Sequence, residues 1–316
     1  GGERNTAGSV AATIGGGYSN TVVVSGSYAT IGGGYFNTVS SFGLYATIGG
    51  GYSNTVSGIG ATVGGGTNNR SSFNSTVGGG QQNTASGQYG TIAGGFWNIA
   101  NAYASTIGGG YSNGASGMYA TVGGGIGNSA SGLTATVSGG FQNTATGNAA
   151  TVGGGADNTA SGAYATIPGG FRAQATGYGQ LAYASGMFAN PGDAQSSLYV
   201  LRNTTNSATP TPLYLDGASA QITVPAGRTL TFEILVTARN NAADSAGYRC
   251  IGVVEGGAGG ATLLTPAACS VIYEDLAGWD VTMVTSGSNL VIRAAGGGSG
   301  DPVRWVAVVR TAEVAW

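Results

Sequence analysis

The sequence lacks the residue types on which most enzymes and metal sites depend. It has no histidine and no lysine, and only two cysteines and 7% charged residues in 316 positions. Histidine is the side chain that titrates nearest neutral pH and binds metals most often, and two cysteines without histidine do not make a structural zinc site. We therefore predict no catalytic residue, no metal site and no cofactor.

The balance of charge is also small and uneven. Twelve acidic residues and ten arginines give a formal net charge of -2, so there is no basic patch of the kind that binds nucleic acid. No run of about 20 apolar residues occurs, and we predict no membrane insertion. Between residues 5 and 156 the only charged residue is Arg70, whereas residues 191–316 hold seventeen. The chain therefore has two regions of different character.

Glycine is abundant, with 63 residues, and it recurs in a repeat. Each repeat has Thr, then Ile or Val, then glycines two and three positions later. The apolar position gives eleven anchors, which are Ile14, Ile31, Ile48, Val63, Val77, Ile92, Ile107, Val122, Val137, Val152 and Ile167. Successive anchors are 17, 17, 15 and 14 residues apart, and every later step is 15. A fixed period of this kind is typical of stacked coils.

The columns of the repeat predict the shape of each coil. Ala-Thr-Ile alternates with period two, as a short strand does, and the glycine pair suits a corner. Asparagine lies six positions after the anchor in ten of eleven repeats, and stacked asparagines can form a hydrogen-bonded ladder. We predict an all-β fold in which a parallel β-solenoid, or β-roll, of about 15 residues per coil forms a rod over residues 1–177.

The interior of such a coil is thin, with one Ile or Val and one or two alanines. This apolar surface is too small to offset the ordering of the backbone, which costs roughly 1–2 kcal/mol per residue. An aromatic column lies four positions after the anchor, at Tyr18, Tyr35, Tyr52, Phe96, Tyr111, Phe141 and Phe171. We expect association of three copies, a homotrimer, to bury such faces.

Several segments resemble known families. Residues 28–37 (YATIGGGYFN) and 180–186 (QLAYASG) resemble the left-handed β-roll repeats of trimeric autotransporter adhesin heads. Residues 187–195 (MFANPGDAQ), followed by 198–203 (LYVLRN), look like a junction in bacteriophage tail-fibre proteins. Residues 213–217 (LYLDG), 222–226 (ITVPA) and 304–307 (RWVA) are similar to the same proteins.

The C-terminal region reads as short strands separated by turn residues. This pattern favours an antiparallel β-sandwich at residues 198–316, reached through a neck at 178–197. If 247–255 and 261–273 form a hairpin, residues whose numbers sum to 519 lie opposite each other. Cys250 and Cys269 meet that condition, so we predict cross-strand neighbours that form either a disulfide or two buried free thiols.

Candidate binding residues lie in the same region. The polar segment at 239–244 follows a long predicted strand and offers Arg239, Asn240, Asn241 and Asp244 to a ligand, with an ordinary loop as the alternative. Trp279 is a candidate for stacking on a sugar, with core packing as the alternative.

The resemblance implies a phage tail fibre, extracellular and part of the virion, that attaches to a host cell through multivalent trimeric binding. Its partners would be copies of itself, other virion tail proteins, and a host surface glycan or protein. The alternatives are an adhesin head on a bacterial cell surface and a purely structural virion fibre.

Two further alternatives are an ice-binding protein and a polysaccharide depolymerase, since depolymerases on phage tails also use β-solenoids. The threonine column suits an ice-binding face. A polysaccharide depolymerase needs paired carboxylates, and the repeats offer only Asp157 near their end. Glu274, Asp275 and Asp280 lie in the other region, where we expect a solvated turn, so we predict that the chain is not an enzyme.

Overall fold

The computed structural model describes residues 1–265, 268–297 and 301–316, and it is all-β. Contacts divide the chain into two compact units, Gly1–Asp157 and Asn158–Trp316. Nowhere in these ranges is there a helix, and so no helical segment there has the length and apolar character to span a membrane. The predicted limits at 177 and 197 stay predictions.

The first unit consists of two-residue strands. In chain order they are β1 (Thr6–Ala7), β2 (Thr13–Ile14), β3 (Thr21–Val22), β4 (Thr30–Ile31), β5 (Thr38–Val39), β6 (Thr47–Ile48), β7 (Thr55–Val56), β8 (Thr62–Val63), β9 (Arg70–Ser71), β10 (Thr76–Val77), β11 (Thr84–Ala85), β12 (Thr91–Ile92), β13 (Ile99–Ala100), β14 (Thr106–Ile107), β15 (Gly114–Ala115), β16 (Thr121–Val122), β17 (Ser129–Ala130), β18 (Thr136–Val137), β19 (Thr144–Ala145) and β20 (Thr151–Val152).

These strands stack into parallel sheets, in which equivalent residues of successive coils lie above one another. The even-numbered strands, which hold the anchors, pair in register, as Thr76 does with Thr91. The odd-numbered strands form a second sheet, in which Thr84 pairs with Arg70. A third column of single bridges runs up the position four after the anchor, from Glu3–Tyr18 to Phe141–Ala156. The prediction of a parallel solenoid with about 15 residues per coil is confirmed.

Each coil buries a small apolar set and one polar side chain. In the third coil Ala46, Ile48 and Val56 are fully buried. Asn54 is also fully buried, and its Oδ1 accepts the backbone N–H of Asn69 in the next coil at 2.9 Å. The predicted asparagine ladder therefore runs inside the solenoid, where it supplies partners to backbone groups that water does not reach.

The second unit contains the remaining strands. They are β21 (Thr159–Ala160), β22 (Thr166–Ile167), β23 (Gln174–Ala175), β24 (Leu181–Tyr183), β25 (Ala194–Thr205), β26 (Ser207–Pro212), β27 (Ile222–Thr223), β28 (Arg228–Asn240), β29 (Ser245–Gly257), β30 (Gly260–Leu263), β31 (Ala268–Glu274), β32 (Asp280–Ser286), β33 (Asn289–Gly296) and β34 (Val303–Ala315).

Parallel and antiparallel pairing meet in one sheet of this unit. Strand β22 pairs with β24 in parallel, and β24 then pairs with β25 in the antiparallel sense. The sheet continues through β34, β28 and β29 to β30 and β31. A second antiparallel sheet of β26, β27, β32 and β33 packs against it over a shared apolar core. The prediction of antiparallel sheets in the C-terminal region is confirmed.

The two cysteines lie on neighbouring strands of this sheet. Strand β29 turns through residues 258–259 into β30, and Cys250 lies opposite Cys269 of β31. The two residues are joined by a disulfide bond. Their pairing is offset by two residues from the β29–β30 hairpin, in which Val254 lies opposite Leu263. The predicted single strand at 261–273 is two strands, and residues 266–267 between them lie outside the described residues.

Candidate functional site

The predicted polar loop at 239–244 is shorter than expected. Strand β28 continues to Asn240, so Arg239 is a strand residue and only residues 241–244 form the turn. Alternation along the strand leaves Arg239 exposed and Asn240 buried. The prediction that both lie in a loop is therefore wrong, because the pairing of β28 with β34 extends to Asn240 and Val303.

Asn240 and Asp244 close this turn on each other. The Asn240 side-chain amide donates to the Asp244 carboxylate at 2.8 Å, and the Asp244 backbone N–H donates to Asn240 Oδ1 at 2.9 Å. These two side chains therefore hold the turn in shape. Asn241 lies at its tip and is exposed.

Trp279 is mainly a core residue. It is 7% exposed, and its ring centroid lies 5.7 Å from that of Trp305. One edge still lines a recess of about 370 Å³, together with Asn240, Leu276 and Asp301. The structure thus brings Asn240 and Trp279, which are far apart in sequence, to the same recess.

Sequence reasoning missed two arginines, Arg202 and Arg304, on the two strands β25 and β34 next to Arg239's strand in the sheet order β25–β34–β28. Arg304 of β34 is directly opposite Arg239 of β28, and both side chains are exposed on the outer face of the sheet. Neither forms an ion pair or hydrogen bond with another described residue. Like charges directly opposite in an antiparallel pair destabilise a sheet. Arg202 of β25 donates to the carbonyl oxygens of Leu215 and Asp216 at 3.3 and 3.0 Å.

These arginines line two recesses that meet at Arg304. One, of about 300 Å³, is bounded by Arg239, Asn240, Asn241, Pro302 and Arg304. The other, of about 260 Å³, is lined by Arg202, Asn203, Thr204, Gly217, Arg304, Trp305 and Val306. We call the surface formed by Arg202, Arg239 and Arg304 the arginine surface. It presents three guanidinium groups, each able to bind a carboxylate or phosphate in bidentate fashion.

Glu274, Asp275 and Asp280, the acidic residues considered for catalysis, each accept local hydrogen bonds. Asp275 accepts from the Tyr273 hydroxyl and from the Ser245 backbone N–H, and these bonds hold its pKa below the ordinary value. Glu274 accepts the Trp279 backbone N–H at 3.2 Å, and Asp280 accepts that of Val281 at 2.8 Å. Within the described ranges, no group of three or more His, Cys, Asp or Glu side chains could hold a metal.

The first unit exposes a second notable surface at one corner of its coils. Three or four positions before each of the nine anchors from Ile14 to Val137 lies an apolar side chain that is 40–71% exposed. We call this column the apolar ridge. Its members are Val10, Tyr28, Tyr45, Ile59, Phe73, Tyr89, Tyr103, Met118, Tyr119 and Leu133. The period predicted the other aromatic column but not this one, because its residue type and exact position vary between coils.

The fold defines a class of protein, a parallel β-solenoid followed by an antiparallel β-sandwich. No family model and no curated protein matches the chain. It is similar to the solved tailspike protein gp49 from Acinetobacter baumannii bacteriophage Fri1, a capsular polysaccharide depolymerase, with 7% identity over 94% of this chain and 69% of that one and a TM-score of 0.22. It is also similar to the Acinetobacter phage vB_ApiP_P1 tailspike protein, with 10% identity, 95% and 72% coverage, and a TM-score of 0.27.

One of these findings corrects a prediction. The gp49 tailspike is described as a depolymerase, which is an enzyme, and this contradicts the prediction that the present chain is not one. We withdraw that prediction. It rested on the scarcity of carboxylates in the repeats, and it set aside Glu274, Asp275 and Asp280 of the second unit, although a low charge content does not by itself exclude carbohydrate cleavage.

Proposed function

We propose that the chain is a segment of a phage tail fibre, located in the virion, that attaches to a glycan on the host cell surface through the arginine surface. The observation that carries this proposal is the direct opposition of Arg239 and Arg304 with no carboxylate partner among the described residues. Such an arrangement lowers the stability of the sheet, and a bound anion relieves the repulsion between the two positive charges.

The chemistry of the two recesses suits a saccharide with anionic groups. Guanidinium groups bind carboxylates and phosphates, and Asn241 offers an amide in the recess that holds Arg239 and Arg304. Trp279 lines a separate recess, which shares Asn240 with this one. Pockets of this kind combine apolar contact with a few polar groups that fix orientation.

Attachment through one weak site is strengthened when several copies act together. We propose that the chain forms a homotrimer through the apolar ridge, with the ridge of one copy packed against sister copies. The ridge is uninterrupted over nine coils, whereas the other aromatic column is broken by Thr67 and Gln81. Tyr28 and Tyr45 are held at φ values of 59° and 58°, which costs backbone energy in a non-glycine residue. Their rings stack on each other at 5.3 Å, yet both remain more than half exposed in one chain.

The test uses the intact, fluorescently labelled chain and a panel of encapsulated bacterial strains measured by flow cytometry. We expect the wild-type chain to bind one or more strains, and the double variant Arg239→Ala, Arg304→Ala to bind them about ten-fold less, because charge-assisted hydrogen bonds are lost. The double variant should melt at the same temperature as the wild type or slightly higher, since a repulsion is removed.

Arg310→Ala is the matched control, because Arg310 is exposed on the same face of β34. We expect this variant to bind as the wild type does. Equal binding by the wild type and the double variant would show that the arginine surface is not the attachment site. Binding to no strain would favour a purely structural fibre, and binding through another surface would fit a bacterial adhesin head equally well.

A further inference from the structure

The first unit contains a polar groove that the proposed attachment site does not use. It has a volume of about 360 Å³ and is lined by Ser53, Thr55, Asn68, Arg70, Gln82, Thr84 and Trp97. These residues come from four successive coils. At about 4.8 Å per coil, the groove extends roughly 14 Å along the solenoid, which suits a short chain of sugars better than a single ring.

Irregularities of the repeat converge on this groove. Arg70 occupies a strand position where the neighbouring coils have Thr55 and Thr84. It is exposed and is the only charged residue between positions 5 and 156, and its guanidinium forms no ion pair or hydrogen bond with another described residue. Its charge therefore contributes nothing to the fold that the structure shows, and it is available to a ligand.

Trp97 forms one end of the groove. It is 47% exposed and its backbone φ is 60°, a conformation that a bulky residue rarely adopts. Its ring stacks on Phe96 at 4.7 Å and lies 5.9 Å from Tyr111. The three rings make a rigid aromatic platform of the kind on which the apolar face of a sugar ring can lie.

The coil that carries Arg70 is held by an internal polar contact. Its anchor step is 14 residues, the shortest in the repeat, and it places serines at two positions that hold Val or Ala in most other coils. The hydroxyls of Ser71 and Ser75 lie 2.8 Å apart in the interior, and Ser75 also bonds Ala85 O at 2.7 Å. The strand that bears Arg70 is therefore fixed before a ligand arrives, which lowers the entropy that binding costs.

We propose that this groove binds an anionic oligosaccharide. Arg70 pairs with a carboxylate or phosphate on one sugar, Trp97 stacks against another, and the amides of Asn68 and Gln82 hydrogen-bond hydroxyl groups between them. The site lies in the first unit, on a corner other than the apolar ridge, and it does not depend on the arginine surface.

The test is run in the intact chain carrying Arg239→Ala and Arg304→Ala, so that its result is independent of the arginine surface. This protein is applied to an array of oligosaccharides of two to six sugars, in neutral, uronate-containing, sialylated and phosphorylated sets, and hits are measured by calorimetry. We expect binding to anionic members only. Preference among the uronate, sialylated and phosphorylated sets identifies the anionic group.

Adding Arg70→Gln should weaken this binding about ten-fold or more, because a charge-assisted contact is lost, and Trp97→Ala should weaken it about five-fold. The matched controls are Arg4→Gln, the other arginine of this unit, and Phe36→Ala, which is also 47% exposed and has a φ of 56° in the Trp97 column. Both should bind normally. Binding of neutral members alone, no binding, or equal loss in the controls would overturn the proposal.

Discussion

The two glycines at each corner of the solenoid have different surroundings. A Cβ on Gly80 would lie 2.1 Å from the carbonyl oxygen of Gly95 in the next coil, and the φ of Gly80 is 83°. A Cβ on Gly79 would meet nothing within 4 Å. Both glycines recur in every repeat, so the sequence alone does not distinguish them.

This difference gives a prediction for single substitutions. Gly80→Ala should lower the free energy of unfolding by about 3 kcal/mol or more, because the methyl group meets backbone that cannot move and the φ is strained. Gly79→Ala is the matched control and should change it by less than about 0.5 kcal/mol. Thermal melting followed by circular dichroism measures both. Equal effects of the two substitutions would contradict the assigned roles.

The asparagine ladder stabilises the stack of coils, because each asparagine side chain bonds backbone groups of its own coil and of the next one. Asn98 Oδ1 accepts the backbone N–H of Asn113 at 3.0 Å, and Asn98 Nδ2 donates to the carbonyl oxygens of Gly94 and Gly110, each at 3.0 Å. All these groups lie in or beside the coil interior, so they have few other partners.

Asn98→Ala should therefore lower the free energy of unfolding by about 3 kcal/mol, since each buried polar group left without a partner costs roughly 1–3 kcal/mol. Asn148→Ala is the control, because Asn148 is exposed and has no side-chain hydrogen bond to another described residue. Chemical denaturation of the intact chain gives both values. A ladder without energetic importance would leave the two variants equally stable.

The turns of the second unit predict how stability depends on pH. Backbone N–H groups of Ser219, Ala218 and Ala220 hold the pKa of Asp216 far below its ordinary value of 3.8. Burial raises the pKa of Asp193, but backbone N–H groups of residues 188–190 and the Arg228 charge lower it further than burial raises it. A lowered pKa stabilises the fold above the ordinary value, and this contribution is lost as the pH falls through the folded-state pKa.

Two tyrosines act in the opposite direction. Burial raises the pKa of Tyr248 to about 12, and burial also raises that of Tyr199. We expect a melting temperature that is constant from about pH 5 to 9, where no histidine or free thiol titrates. It should fall below about pH 4 and again above about pH 10. Calorimetry at pH 3 to 11 measures this profile, and a step between pH 5 and 8 would contradict it.

The sequence predicted the elements of the solenoid better than its corners. The strand positions could be predicted from the period, because the Thr-Ile or Thr-Val pair and the asparagine six positions after the anchor recur in almost every coil. It did not reveal the left-handed residues at Tyr28 or Trp97, since a bulky side chain at positive φ has no local signal and is imposed by the stacking of the coils.

The candidate sites depend on contacts that a sequence does not display. The opposition of Arg239 and Arg304 arises from the register of β28 with β34, across more than sixty residues. Burial of Asn240 follows from the same register. The opposition of Cys250 and Cys269 is observed, but its register is not that of the hairpin turn, where Val254 lies opposite Leu263. The pair is made by β31, offset by two residues from the β29–β30 hairpin, so the register of the turn alone does not determine it.

For the whole molecule, the apolar ridge predicts the oligomeric state. We expect light scattering to give three times the 30.7 kDa mass of one chain. The variant Tyr28→Ser, Tyr45→Ser should dissociate at a higher protein concentration than the wild type does, because apolar contact area between copies is lost. Phe36→Ser, which changes an aromatic residue on the other corner, should stay trimeric. A wild-type chain of monomer mass would contradict this assembly.

The central claim is that the intact chain attaches to cells through a surface glycan, and oxidation of that glycan tests it most directly. Bacteria that bind the labelled chain are treated with periodate, which cleaves sugar diols and leaves surface proteins folded, and binding is measured again by flow cytometry. The account predicts binding before treatment and loss of most of it afterwards. Unchanged binding after periodate would show that the receptor is not a glycan and would contradict the account.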